Sequence, residues 1–377
     1  MVIQFEIFLI GKTPKFYSGC YAPDDQENHT GAWPADGFFS MKDNIIGKIG
    51  AVEKCTQSDF LRNHYGHNEL FFDHNTFPDK VELMVGSLDL SDLPSFAESE
   101  VELIRRYLDK NHKYRTGQLP FRRRGLIDDN LEQFKERDVP ASSGWRNFNT
   151  MFGPDSITEG DYFTTLENES YMASYACGKG KPFDSLDGVG SSDDFATRQV
   201  KTIFTMLYGD YIGDWDSPNN FLRASLASEP SILTAAWVGH PHWFFHHLSI
   251  GYPIGYSTRL TQNNQIYNAI EHYINDTVSV NYDPYKNGSH TAMLGDPTLT
   301  MYPLDSESGI TNLIETKLND YTVRLDWDLP DDGEVHQYDI FRSNHEFGPF
   351  EQVNKLSNKN GSHIDAFHYT GDVWYMV

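Results

Sequence analysis

Cys177 ends the apolar run Tyr171-Met172-Ala173-Ser174-Tyr175-Ala176 and enters the turn Gly178-Lys179-Gly180, where a thiol could act on a carbonyl. The nucleophile in such chemistry is the thiolate, so the cysteine needs a nearby cation or base. Three roles for Cys177 stay open from the residues. It is a small buried residue at a strand end, or a nucleophile whose pKa Lys179 lowers while a histidine from residues 240–247 takes the proton, or a ligand or redox group. The loop Gly239-His240-Pro241-His242-Trp243-Phe244-Phe245-His246-His247 supplies the histidines. His240, directly after Gly239 at a strand end, is the best-placed base. His242 and His246 are four apart and would share one helix face, but no His-Glu-x-x-His frame or third metal ligand accompanies them. Packing among the aromatic residues is the plainer account of that loop.

Carboxylates offer other chemistry. Asp214 and Asp216, in Gly213-Asp214-Trp215-Asp216-Ser217-Pro218-Asn219-Asn220, could give oxygen ligands to Ca2+, as could Asp193-Asp194. Their spacing is not that of an EF-hand, and aspartates of this kind also cap helices and hold turns. Asp210, at the end of the run ending Leu207-Tyr208-Gly209, could pair with Asp214 for glycoside hydrolysis, although nothing else resembles a sugar cleft.

The elements that must position these groups follow from pattern. Residues 3–10 and 81–90 read as strands, and Ser91 to Arg115 as a helix capped by Ser91 or Asp92, with Pro94 in its first turn and Val101, Ile104 and Leu108 on one face. A short strand follows within residues 122–130, running into the acidic turn residues Asp128 and Asp129. Strands at 169–178, 198–210 and 231–239 enclose a helix at 217–230. Alternating strands and helices predict an α/β domain with a mostly parallel sheet, whose ligand crevice lies at the carboxyl ends of the strands. Function is therefore sought at 177–193, 208–217 and 238–247.

The chain has 377 residues, 39% of them hydrophobic and 14% aromatic, enough for more than one packed core and too apolar for general disorder. Its 54 acidic against 30 basic residues, net charge −24, argue against a nucleic-acid binder. The run Arg122-Arg123-Arg124 is read as an exposed strand start. No stretch is long and apolar enough to span a membrane, and the amino terminus reads as a strand rather than a signal peptide, so an export signal is expected upstream of Met1. Cys20, Cys55 and Cys177 have no Cys-x-x-Cys spacing; a Cys20–Cys55 bridge is one pairing the spacing allows. Five Asn-x-Ser/Thr sequons, at Asn28, Asn168, Asn275, Asn287 and Asn360, matter only in a host that glycosylates them.

The texture changes around 305–309. Beyond it Leu325 and Trp327 alternate with polar residues, and Tyr338 and Ile340 follow in the same rhythm, as in a β-sheet with one buried face. The domains are expected at 1–304, with a subdomain boundary near 135–160, and at 310–377.

The run 202–216, the run 233–264 and above all Met293-Leu294-Gly295-Asp296-Pro297-Thr298-Leu299, followed by a β-rich tail, resemble the gingipain-like cysteine peptidases, in a branch from environmental bacteria. The resemblance covers about residues 80–377 and implies a caspase-like α/β sandwich followed by a fibronectin type III or immunoglobulin-like domain. It also implies secretion to the cell exterior or surface, and a protein or peptide as partner. It would set a His-Gly base at one strand end and a Cys nucleophile at the next, with backbone N–H groups holding the oxyanion. Here Cys177-Gly178-Lys179-Gly180 stands in the base's turn, and Tyr208-Gly209-Asp210 in the nucleophile's place. The standard dyad is missing. The expectation is a dyad-less homologue acting as a binding or structural component; the alternative is an endopeptidase rearranged around Cys177, with Lys179, His240 and Asp210 contributing. The resemblance also implies that the first domain's amino-terminal part lies upstream of Met1 and that the sandwich lacks its last strand, either because the chain is truncated there or because another chain supplies the edge in a self-assembly by strand addition.

Overall fold

A computed structural model describes residues 6–21, 24, 26, 31–40, 71–72, 77, 80–119, 121–131, 140–237, 243–263, 290–302, 310–329, 338–344, 351–354, 360–368 and 371–377. The chain divides into two compact units, Met1–Met301 and Tyr302–Val377.

Eight strands make the main sheet of the first unit: β1 (Glu6–Ile10), β2 (Met84–Leu88), β3 (Gly125–Asp129), β4 (Ile157–Glu159), β5 (Tyr171–Cys177), β6 (Thr202–Tyr208), β7 (Thr234–Trp237) and β8 (Ala292–Gly295). Their order across the sheet is β1-β2-β8-β7-β6-β5-β3-β4. The pairs β1/β2, β3/β4, β3/β5, β5/β6 and β6/β7 are parallel, and β7/β8 is antiparallel. This is the mixed α/β architecture with a mostly parallel sheet that the element rhythm predicts. β5 is buried along all seven residues, as befits a central strand covered on both faces.

Among the described residues this unit has six helices: α1 (Glu100–Arg115), α2 (Ser142–Phe152), α3 (Tyr162–Asn168), α4 (Ser192–Thr197), α5 (Phe221–Ala227) and α6 (Ile254–Gln262). α2, the 3-10 turn His246–Ile250 and α6 close over Ala173, Phe204, Met206 and Ala236 with Phe148, Phe245, Leu248 and Ile254. Thr205 presents the alternate face, where its hydroxyl meets those of Tyr162 on α3 (3.0 Å) and Ser174 (2.9 Å).

α1 departs from expectation at its start and on its buried face. It begins after Ser99, not Ser91 or Asp92, because Ser99 and Glu102 form a reciprocal capping box. Its inward residues are Leu103, Tyr107, Lys110, Asn111 and Tyr114, while Val101 is 57% and Leu108 41% exposed. Polar partners draw this face inward. Lys110 Nζ donates to the carbonyls of Leu226 (2.8 Å), Ser228 (2.6 Å) and Ile232 (3.0 Å), closing the carboxyl end of α5. Burial pushes this amine down to about 7; three carbonyl acceptors need three N–H donors, which only the ammonium has, and they hold the charged form.

The second unit has the three-stranded sheets β9-β10-β13 and β12-β11-β14, formed by β9 (Thr311–Asn319), β10 (Thr322–Asp328), β11 (Phe341–Ser343), β12 (Glu351–Gln352), β13 (Ser362–Ala366) and β14 (Trp374–Met376). Their pairings are antiparallel. The predicted alternation holds: Leu325, Trp327, Tyr338 and Ile340 form the core. Arg342, on the middle strand β11 of its sheet, pairs with Asp365 on the edge strand β13 of the other at 2.8 Å, and Asp365 also accepts from the Tyr375 hydroxyl.

Lys110→Met leaves three buried carbonyls unpaired and is expected to cost about 2–4 kcal/mol in urea unfolding; a loss below about 0.5 kcal/mol would show that water replaces the amine.

Candidate functional site

The order β4-β3-β5-β6-β7 contains a reversal. From β3 the chain moves outward to β4, then returns to the other side of β3 as β5 and continues to β6 and β7. Crossovers thus leave the β3/β5 junction in opposite directions, and the carboxyl ends there are where open α/β sheets bind ligands. Those ends are Asp129 and Cys177, which face each other in register, with Tyr208 of β6 opposite Cys177 on its other side.

Cys177 has 0% exposure. Its S–H donates to Asp129 Oδ1 at 3.1 Å, and its carbonyl accepts the Asn130 N–H at 3.0 Å. Among the described residues Asp129 is the thiol's one side-chain partner. Burial pushes the Cys177 thiol far above its ordinary range, and the Asp129 carboxylate, with Asp128 behind it, pushes it further. Lys179 is exposed, and the charges that dominate at the sulfur are those of Asp129 and Asp128. These surroundings are opposite in sign to those of an activated cysteine.

The two turns at the strand ends are in backbone contact. A Cβ on Gly180 would lie 1.8 Å from the Asp210 carbonyl, and one on Gly209 would lie 2.5 Å from the Gly178 carbonyl. Gly178 N–H also bonds Tyr208 O at 3.2 Å. Asp210 is half-buried, its carbonyl accepting the Ile212 N–H. The chain's own backbone fills the place between the strand ends.

Asp128 was not singled out by the sequence. Its Oδ2 accepts the Tyr162 N–H (2.9 Å) and its Oδ1 the Asn130 amide (2.7 Å), yet burial pushes its pKa up to about 6. Asp129 was missed with it. The signal available was the pair of acids closing the strand Gly125–Asp129.

A second polar group lies at the loop after β6. Buried Arg223 meets Asp89 Oδ1 at 3.4 Å and donates to the carbonyls of Ser91 and Ser217. Lys15 reaches Asp89 Oδ2 at 3.2 Å and lies 4.5 Å from the centre of the Trp215 ring. Asp214 is buried, its carbonyl accepting the Ser217 N–H, and Asp216 accepts from the Tyr17 hydroxyl. Among the described residues no group of three or more His, Cys, Asp or Glu is placed to hold a metal ion. Asp193 and Asp194 belong to the start of α4, where Asp194 closes a capping box with Ser191.

His240 and His242 lie outside the described residues, as does Cys55, and nothing is described of the Cys20 side chain. His246 is buried beside Asn147, whose Oδ1 lies 3.4 Å from its Nδ1, with the His247 ring 4.2 Å away between centroids. Burial, and then His247, hold its pKa well below the usual range. This histidine is neutral and packed.

No family model and no curated protein matches the chain. Among solved structures, one titled "Structure of Protease" is similar at 10% identity and TM-score 0.45, over 98% of this chain and 80% of that one. The Arg-specific cysteine proteinase gingipain R is similar at 11% identity and TM-score 0.36, over 78% of this chain and 71% of that one. Such scores carry no functional weight.

Asp128 gives a pH test. Its folded pKa, about 6, exceeds the unfolded value of about 4, so its neutral form favours folding. That contribution is fully present below about pH 4 and is lost as pH rises through about 6, roughly 2–3 kcal/mol in all. The unfolding free energy of wild type minus Asp128→Asn is expected to fall by that amount between these pH limits in urea titrations. A constant difference would show an unperturbed carboxyl.

Proposed function

We propose that the chain is a secreted gingipain-like peptidase homologue without a working His/Cys dyad, serving outside the cell or at its surface as a binding or structural component for protein or peptide partners. One observation carries this reading: the thiol at the end of β5 is fully buried and donates to a carboxylate. The neighbouring strand end, Tyr208-Gly209-Asp210, offers no nucleophilic thiol or hydroxyl of Ser or Thr. A cysteine facing Asp129 must give up its proton beside a negative charge, in a place with little water to solvate the product ion. The exterior location rests on the sequence resemblance. No described helix is long and apolar enough to cross a membrane, which is compatible with that location and with others.

The alternative, an endopeptidase rearranged around Cys177, makes a different prediction in the same assay. Full-length protein incubated with casein and a fluorogenic peptide mixture is expected to cleave nothing above buffer, and Cys177→Ala to change nothing. In the folded chain at about pH 6, iodoacetamide is expected to leave the Cys177 peptide unmodified, while the urea-unfolded chain reacts at neutral pH. Proteolysis that disappears in Cys177→Ala would overturn the proposal.

A further inference from the structure

β9 is a nine-residue strand, Thr311-Asn312-Leu313-Ile314-Glu315-Thr316-Lys317-Leu318-Asn319, at the edge of its sheet. Among the described residues it pairs on one side only, with β10. Leu313 is 43%, Ile314 59% and Leu318 49% exposed. Edge strands this long and apolar are normally shortened, bent or covered, because their free N–H and C=O groups template another strand. β9 has irregularities near each end, between Thr311 and Ile314 and between Lys317 and Asn319, leaving Ile314 to Lys317 in regular register.

A lone charge on an edge opposes pairing, but Glu315 and Lys317 have opposite signs and flank Thr316. We propose that two copies of this chain join by antiparallel pairing of β9 with β9, centred on Thr316, so that the two three-stranded sheets become one of six strands. In that register Glu315 of each copy stands opposite Lys317 of the other, and Ile314 opposite Leu318. Glu315, Thr316 and Lys317 lie in the regular stretch, where alternation puts both charge pairs on one face; Leu318 falls in the irregularity beyond Lys317, so the charge pairs alone set the register. A parallel in-register pairing would set Glu315 against Glu315 and Lys317 against Lys317. Antiparallel pairing centred one residue away would do the same for one of them. A shift of half a residue opposes Ile314 to Lys317 in one direction and Glu315 to Leu318 in the other. Complementarity within the strand therefore selects a second copy as occupant, and the arrangement is two-fold symmetric, as homodimers are. The existing exposed Lys317–Asp320 ion pair, 2.9 Å, is too weak to hold Lys317 back. The inference does not depend on whether the chain descends from a peptidase.

The test is sedimentation equilibrium of the full chain over about 1–100 μM. Wild type is expected to show a concentration-dependent dimer. Glu315→Lys alone sets like charges opposite each other twice and should raise the dissociation constant about tenfold; Lys317→Glu alone should do the same. The double variant Glu315→Lys/Lys317→Glu restores both pairs while leaving the net charge at −24, and should return to within about threefold of wild type. Thr316→Cys, opposite its own copy at about 5 Å between Cα atoms, should form a disulfide-linked dimer on oxidation, while Lys317→Cys, set diagonally at about 7–8 Å from its copy, should not. A monomer at every concentration overturns the proposal. So does a dimer whose affinity ignores the single reversals, or one that the double reversal fails to restore.

Discussion

A strand buried on both faces cannot end in an unpaired charge, and β5 is such a strand from Tyr171 to Cys177. That constraint shapes the region around it. β3 and β6 pair with β5 on its two sides, the reversal of strand order falls between β3 and β5, and the last buried side chain of β5 meets the Asp129 carboxylate. One proton satisfies both groups: it stays on sulfur and is shared with oxygen. Removing it would leave two negative charges side by side at the inner end of the crevice.

The glycines serve the same arrangement. Gly180 and Gly209 let the turns after β5 and β6 approach until their backbones touch, which a Cβ at either would prevent. Arg223 then holds the longer loop after β6 through the Ser217 carbonyl and Lys15 through the Trp215 ring, both cations being paired with Asp89. A loop fixed by buried ion pairs and closed by backbone contact is suited to keeping its shape. Buried pairs of this kind cost desolvation and are weak evidence of added stability.

Much of this was legible in the residues. Apolar runs ending in glycine placed β5 and β6, Asn220 caps α5 within the predicted helix, and Leu325 with Trp327 marked the buried face of β10. Cys177 was correctly placed at a strand end before a turn. The helix α1 was misread because periodicity assigns apolar residues inward; here carbonyls from the α5 region attract Lys110, and Asp296 takes Asn111, leaving Val101 and Leu108 outside. Asp129 was invisible as a partner because it lies 48 residues from Cys177 in sequence, and only strand order brings them together. Asp214 and Asp216 fit either a turn or a cation site in sequence, because both chemistries use the same side chain.

The central claim is that the Cys177 proton is held at neutral pH. Its most direct test is a thiolate titration by ultraviolet absorbance, taken as the difference between the wild-type chain and Cys177→Ser so that Cys20 and Cys55 cancel. The account predicts no thiolate signal from Cys177 below about pH 9, with any later signal coinciding with unfolding. A thiolate appearing below about pH 7 in the folded chain would contradict it and restore Cys177 as a nucleophile.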